Sequence, residues 1–274
     1  MRLIYYIAKR LLTNPYDLIW AVGFMIFWIL MGAYIFSPGI AHGEYYNQEV
    51  YYYTSGWAGT IILFSLGSLS VGITAMLNYQ TGGLSHLFRY SKLTPLYYIS
   101  SIYIGSIIAS LIIGSTMIAF TTVAFSNRFG FIVYPKDILL LIISIILTAI
   151  FLTSFSMFLS IITLKTTRKI REFINMVPLL FSFLFGFGYL YLKLNYFTYA
   201  SPFTMVDSLT MSGYLGKPSP LNYASIILSG QSGSFISIPL AIISSILWTV
   251  VLTIIDIIGI RKLYYKPLEE EKLA

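Results

Sequence analysis

Six long stretches of the chain are apolar and almost free of charged residues. They cover residues 18–36, 56–77, 96–125, 138–164, 173–192 and 235–258. A helix that crosses a hydrocarbon core of about 30 Å needs about 20 such residues. The stretches do not alternate between apolar and polar positions, as strands of a membrane β-barrel do. The pattern therefore predicts an all-α integral membrane protein in which residues 1–274 form one transmembrane domain with six spans.

The composition supports a membrane environment. Of the 274 residues, 57% are hydrophobic and 10% are charged, and the mean hydropathy is +0.80. A soluble domain carries roughly 25% charged residues, so these side chains are too few to cover a soluble protein of this size. The first apolar stretch is longer than the roughly 7–15 residues of a signal peptide, and we expect it to remain as a span. The absence of cysteine excludes disulfides and thiolate metal sites.

Lysine and arginine are distributed unevenly between the spans. With the N-terminus inside, 13 of the 17 lie in inner segments, and the outer segments hold Arg128, Lys136, Lys193 and Lys217. Basic residues accumulate on the cytoplasmic side of membrane proteins, so we expect both termini to be cytoplasmic. The basic cluster at 165–171 is expected to contact membrane lipids or a protein partner. No soluble module carries a basic face, so we expect no nucleic-acid partner.

Residues 1–16 show the pattern of an amphipathic helix at the inner membrane surface. Ile4, Ile7 and Leu11 fall on one side at helical spacing, and Lys9 falls on the other. Such a helix could serve only as a membrane anchor, or it could also brace a cytoplasmic partner.

The inner loop at 78–95 contains a second amphipathic pattern. We expect Gly82-Gly83 to open a short helix between the spans and Pro95 to follow it. Leu84, Leu87 and Phe88 lie at i, i+3 and i+4, so they share one face. This face could bind a groove in a peripheral protein, or it could rest on lipid headgroups.

Two outer segments are rich in apolar or aromatic residues. The outer segment at 193–234 contains two short apolar stretches, at 203–211 and 221–228, which predict re-entrant or interfacial helices before the last span. The outer loop at 37–55 contains five tyrosines. Tyrosines at this level usually form an interfacial belt, although they can also bind sugars or amphiphiles. The five are Tyr45, Tyr46, Tyr51, Tyr52 and Tyr53.

Motifs of enzyme chemistry are missing from the sequence. There is no G-x-x-x-x-G-K-[ST] phosphate loop, no H-E-x-x-H and no G-x-S-x-G. The two histidines, His42 and His86, fall on opposite predicted sides of the membrane, which disfavours a shared metal or catalytic site. Few ionisable groups fall within spans, where they usually serve function. Asp256 is one of them; it could pair with a basic residue at the interface or act in an ion-coupled carrier.

The organisation of the chain resembles that of the ABC-2 type permease family, the membrane subunits of one class of ATP-binding-cassette exporters. The resemblance rests on the order of segments and on two short stretches. Gly82-Gly83-Leu84-Ser85-His86-Leu87-Phe88 with Thr94-Pro95 is similar to the coupling segment of the family. Ser201-Pro202-Phe203-Thr204 with Asp207 is similar to its N-P-L-x-x segment after span five, with serine in place of the usual asparagine.

The resemblance implies a permease subunit in the cell (plasma) membrane that forms the substrate path of an exporter and that is not an enzyme by itself. It would pair with a second permease, identical or related, and bind a separate P-loop ATPase that holds ATP and Mg. No cofactor is expected in this chain. The implied ATPase contact comprises Leu84, Ser85, His86, Leu87, Phe88 and Arg89, and the implied connecting helix includes Ile4, Ile7, Lys9 and Leu11. An ion-coupled secondary carrier that uses Asp256 and a membrane-embedded lipid enzyme are the alternatives.

Overall fold

The computed structural model describes residues 2–37, 43–90, 93–163, 166–223 and 234–263; within its helices the side chains of 81–89, 168 and 260–263 lie outside the description. The described chain is helical apart from short connections and one isolated β-bridge between Pro220 and Phe235. The α-helices are α1 (Arg2–Thr13), α2 (Pro15–Ile35), α3 (Tyr46–Tyr90), α4 (Pro95–Phe129), α5 (Ile138–Thr163), α6 (Arg168–Tyr191), α7 (Pro202–Leu215) and α8 (Ile238–Leu263).

Six of these helices are long and apolar enough to span a membrane, namely α2, α3, α4, α5, α6 and α8. Each of them coincides with one of the six apolar stretches of the sequence. The predictions of an all-α fold and of a multi-pass membrane protein with six candidate spans are therefore confirmed. α2 is not uniform, because it contains two π-helical turns, at Ile19–Gly23 and Met31–Ile35.

Helix α3 lies at the centre of the bundle, and its most apolar stretch is almost completely buried. Small residues let the neighbouring helices approach it closely. Ser65 donates a hydrogen bond to the carbonyl oxygen of Ala21 in α2, at 2.5 Å. Ser70 donates one to the carbonyl oxygen of Leu152 in α5, at 3.1 Å. Hydroxyl groups thus connect the central helix to two other spans.

Helix α7 is too short to cross a membrane, yet every residue from Phe203 to Leu215 is buried. Ser201 caps its N-terminus by accepting a hydrogen bond from Thr204 N, and Pro202 occupies the first turn. The ring of Phe203 lies 4.9 Å from that of Phe151, near the middle of α5. At the other end of α7, Gly213 accepts a hydrogen bond from the backbone N–H of Asp137, which precedes α5. α7 therefore lies along the first half of α5.

Helix α1 packs its apolar side against the span α4. Ile7 and Leu11 are buried, Ile4 is partly buried, and Lys9 is exposed. A Cβ atom at Gly105 of α4 would lie 2.7 Å from Cγ2 of Ile7, so glycine at this position allows the close approach of the two helices.

The backbone at 82–90 differs from the expected short helix. α3 continues without interruption through Gly82 and Gly83 to Tyr90, so the expectation that this glycine pair opens a separate helix is wrong. A glycine costs a helix about 1 kcal/mol relative to alanine, which the flanking turns of a 45-residue helix can absorb. At 1.5 Å per residue, α3 is about 68 Å long and exceeds a hydrocarbon core of about 30 Å.

Candidate functional site

The predicted inner end of α3 is tied to two other spans through the buried side chain of Asn78. Its Nδ2 donates a hydrogen bond to Oδ1 of Asn175 in α6, at 2.7 Å. Its Oδ1 accepts one from Oγ1 of Thr163 in α5, at 2.6 Å. Both functional groups of one amide are therefore used between helices.

A second contact lies two residues further along α3. The Tyr98 hydroxyl of α4 donates a hydrogen bond to Oε1 of Gln80. Together, Asn78 and Gln80 connect α3 with α4, α5 and α6, directly before the segment 84–89. The last turns of α3 contain the coupling residues that the sequence predicts, and their side chains lie outside the description. These residues are Leu84, Ser85, His86, Leu87, Phe88 and Arg89. A displacement of this helix end would therefore reach three other spans.

Asp256 of α8 lies in a buried polar region between three spans. The Tyr103 hydroxyl of α4 lies 2.7 Å from Oγ of Ser154 in α5 and 3.0 Å from Oγ1 of Thr253 in α8. Asp256 follows Thr253 by about one helical turn, and it is 2% exposed. Among the described residues, neither of its carboxylate oxygens has a hydrogen-bond partner. The side chain of Arg261, the basic residue that follows Asp256 in the sequence, lies outside the description, so pairing between the two stays a prediction.

Asp207 is a buried acid that the sequence analysis did not select as functional. It is 1% exposed, and neither carboxylate oxygen has a hydrogen-bond partner among the described residues. A Cβ atom at Gly59 of α3 would collide with its Oδ1, so the carboxyl group lies directly against the central helix. Burial raises the pKa of Asp207 well above its usual range. The sequence feature that could have identified Asp207 is its position as the one acidic residue in the otherwise uncharged helix α7.

The predicted outer end of the bundle carries a cavity of about 170 Å³. The first turns of α3 contribute Asn47, Gln48, Tyr51 and Tyr52 to its lining. Lys136, Leu215 and Lys217 complete it. Two of the five tyrosines of the outer loop therefore line a cavity instead of forming only a belt.

Each lysine of this cavity lies over a tyrosine ring. Nζ of Lys136 is 4.2 Å from the ring centroid of Tyr51, and Nζ of Lys217 is 4.4 Å from that of Tyr52. These distances are typical of cation–π contacts. Because Lys136 and Lys217 are far apart in the sequence, no local motif could have identified the pair.

The described residues contain no group of three or more His, Asp or Glu side chains that could hold a metal ion. His42 lies outside the described residues, as do most residues of the second predicted outer helix, 221–228.

The comparisons with known proteins give no family for this chain. No family model matches it, and neither a curated protein nor a solved structure does. Any function must therefore be argued from the residues and their arrangement.

Proposed function

We propose that the chain is the permease subunit of an ABC exporter, in which α3 transmits movement from a separate ATPase to the spans. The observation that carries this proposal is the arrangement at the end of α3. The helix continues to Tyr90, and Asn78 is hydrogen-bonded to both Asn175 and Thr163. An ATPase that moves the segment 84–89 would therefore move α5 and α6 with it.

The remaining parts of the proposal follow from the same features. The 13 inner lysines and arginines support a cytoplasmic location for the end of α3, and thus for the ATPase that holds ATP and Mg. α7 would form one limb of a re-entrant segment, since its N-terminal ring contacts lie near the middle of α5. A second permease subunit would complete the substrate path, with membrane lipids around both.

The test is to purify the tagged chain from its native membrane and to identify the proteins that accompany it. We expect a P-loop ATPase in stoichiometric amount and vanadate-sensitive ATP hydrolysis. The double variant Leu87→Asp/Phe88→Asp should lose the ATPase, because two carboxylates on the apolar face would have to be desolvated in the groove. The circular dichroism spectrum and the gel-filtration elution volume of the variant should equal those of the wild type.

Tyr16→Asp is the matched control, since Tyr16 is an exposed aromatic residue on the predicted inner side but outside the segment 84–89. This variant should retain the ATPase. Retention by the Leu87→Asp/Phe88→Asp variant would contradict the coupling role of the segment.

The second candidate function is an ion-coupled secondary carrier, and the geometry around Asp256 favours it. Asp256 is a buried carboxyl group with no hydrogen-bond partner within the described part of the chain, and it lies near the hydroxyl groups of Tyr103, Ser154 and Thr253. Ion-coupled carriers use groups of this type. A chain that purifies alone, without ATP hydrolysis in detergent or nanodiscs, would favour the carrier over the exporter.

A further inference from the structure

We propose that the cavity between α3 and the ends of α5 and α7 binds a phosphate group, carried either by a lipid or by a soluble molecule. This inference does not rest on the proposed function, because it concerns the chemistry of the cavity and not the source of energy.

The fold brings the two lysines of the cavity together through backbone contacts. The N–H of Lys136 donates a hydrogen bond to the carbonyl oxygen of Tyr214, at 3.1 Å. α7 ends at Leu215, and Gly216 caps it with a φ of +69°. A Cβ atom at Gly216 would lie 2.7 Å from Cβ of Lys136, so Lys217 follows directly beside Lys136. The positions of the two lysines are therefore fixed by the packing of α7 against the start of α5.

The ionised side chains that line the cavity are both cationic. Lys136 and Lys217 line it, and no carboxylate is among the described lining residues. The nearby carboxylate of Asp137 accepts a hydrogen bond from the N–H of Leu140 and so caps α5. Glu44 and Glu49 are exposed near the start of α3 and do not contribute to the lining. The local charge within the cavity therefore favours an anion.

The lysines retain donor capacity for such a ligand. An ammonium group has three N–H donors, and a tyrosine ring covers only one side of it. Among the described residues, neither lysine forms an ion pair. The side-chain amides of Asn47 and Gln48 supply further N–H donors from α3.

The size of the cavity also suits a phosphate group. Its volume of about 170 Å³ is many times the ~15 Å³ that a single water molecule requires. The exposed positions of Asn47, Gln48, Lys136 and Lys217 leave it open to the surface, so a phosphate can enter while the group to which it is esterified remains outside.

The test measures ligand binding to the full-length chain in dodecyl maltoside by microscale thermophoresis. The probes are dioctanoyl phosphatidic acid, glycerol 3-phosphate and the uncharged dioctanoylglycerol. The variant Lys136→Gln/Lys217→Gln should weaken phosphate binding by about tenfold or more, because each lysine near a membrane surface contributes substantially to the attraction of anionic headgroups. Lys193→Gln, an exposed lysine on the same predicted side, is the control and should bind as the wild type does.

Both positive outcomes support the site and distinguish its source of phosphate. Binding of phosphatidic acid alone identifies a lipid headgroup site, and equal binding of glycerol 3-phosphate identifies a site for soluble phosphates. The proposal is overturned if the double variant binds like Lys193→Gln, or if the wild type binds neither phosphate ligand more tightly than dioctanoylglycerol.

Discussion

Asp207 places a carboxyl group inside the protein without a hydrogen-bond partner among the described residues. A charged carboxylate in such surroundings would be strongly destabilised, so the neutral form is favoured. The side chain lies against Gly59, which leaves no room for water on that side. Two buried tyrosines, Tyr189 of α6 and Tyr223 after α7, are the titratable groups near it.

The protonated state of Asp207 predicts a specific dependence of stability on pH. Because its pKa is raised in the folded protein, the folded state holds a proton that the unfolded state releases above about pH 4. This contribution to the free energy of unfolding is complete below that pH and decreases as the pH rises, by up to about 1.4 kcal/mol per pH unit. Asp207→Asn lacks the titrating group, so its Tm should fall less than that of the wild type between pH 5 and pH 8.

Thermal unfolding in one detergent, followed by circular dichroism at several pH values, measures the difference. Glu44→Gln removes a carboxylate at an exposed position and should give the same Tm–pH curve as the wild type. Parallel curves for the wild type and Asp207→Asn would show that the buried carboxyl group is not held neutral.

Gly213 determines how closely α7 approaches α5. A Cβ atom there would lie 2.8 Å from the backbone N of Leu141 and 2.9 Å from its Cα. Contacts with backbone atoms cannot be relieved by a rotamer change, so the two helices would have to separate. The complete burial of α7 therefore depends on the absence of a side chain at this position.

Gly213→Ala should lower the free energy of unfolding by about 1–3 kcal/mol, the usual cost of overpacking. This loss would occur even though alanine is the better helix former. Gly188→Ala in α6 provides the matched control, because a Cβ atom at Gly188 meets no atom within 4 Å. Thermal unfolding should show a lower Tm for Gly213→Ala only, and equal values for both variants would refute the close packing of α7.

The sequence predicted the elements better than their ends and contacts. Long apolar runs identify spans because each residue of a span must avoid exposing charge to lipid, and all six were found. The predicted second span begins at residue 56, ten residues after the observed start of α3 at Tyr46, because tyrosines and polar residues precede the apolar stretch. Contacts such as those of Asn78 and Asp207 could not be predicted, because they depend on which helix faces meet in the folded bundle.

The orientation of the whole molecule can be tested directly because the chain contains no cysteine. Tyr90→Cys, at the end of α3, and Lys193→Cys, after α6, place single thiols at exposed positions on opposite predicted sides. In intact cells a membrane-impermeant maleimide should label only Lys193→Cys, and both should react after the membrane is permeabilised. Labelling of Tyr90→Cys alone in intact cells would reverse the orientation derived from the positive charges.

The length of α3 has a mechanical consequence. This single helix carries two of the proposed phosphate donors, Asn47 and Gln48, in its first turn and the proposed partner segment in its last turns. Tilting a rigid rod of about 68 Å by about 10° about one end sweeps the other end through roughly 12 Å. A lever of this kind couples binding at its two ends. If partner binding changes the phosphate affinity by some factor, phosphate binding must change the partner affinity by the same factor.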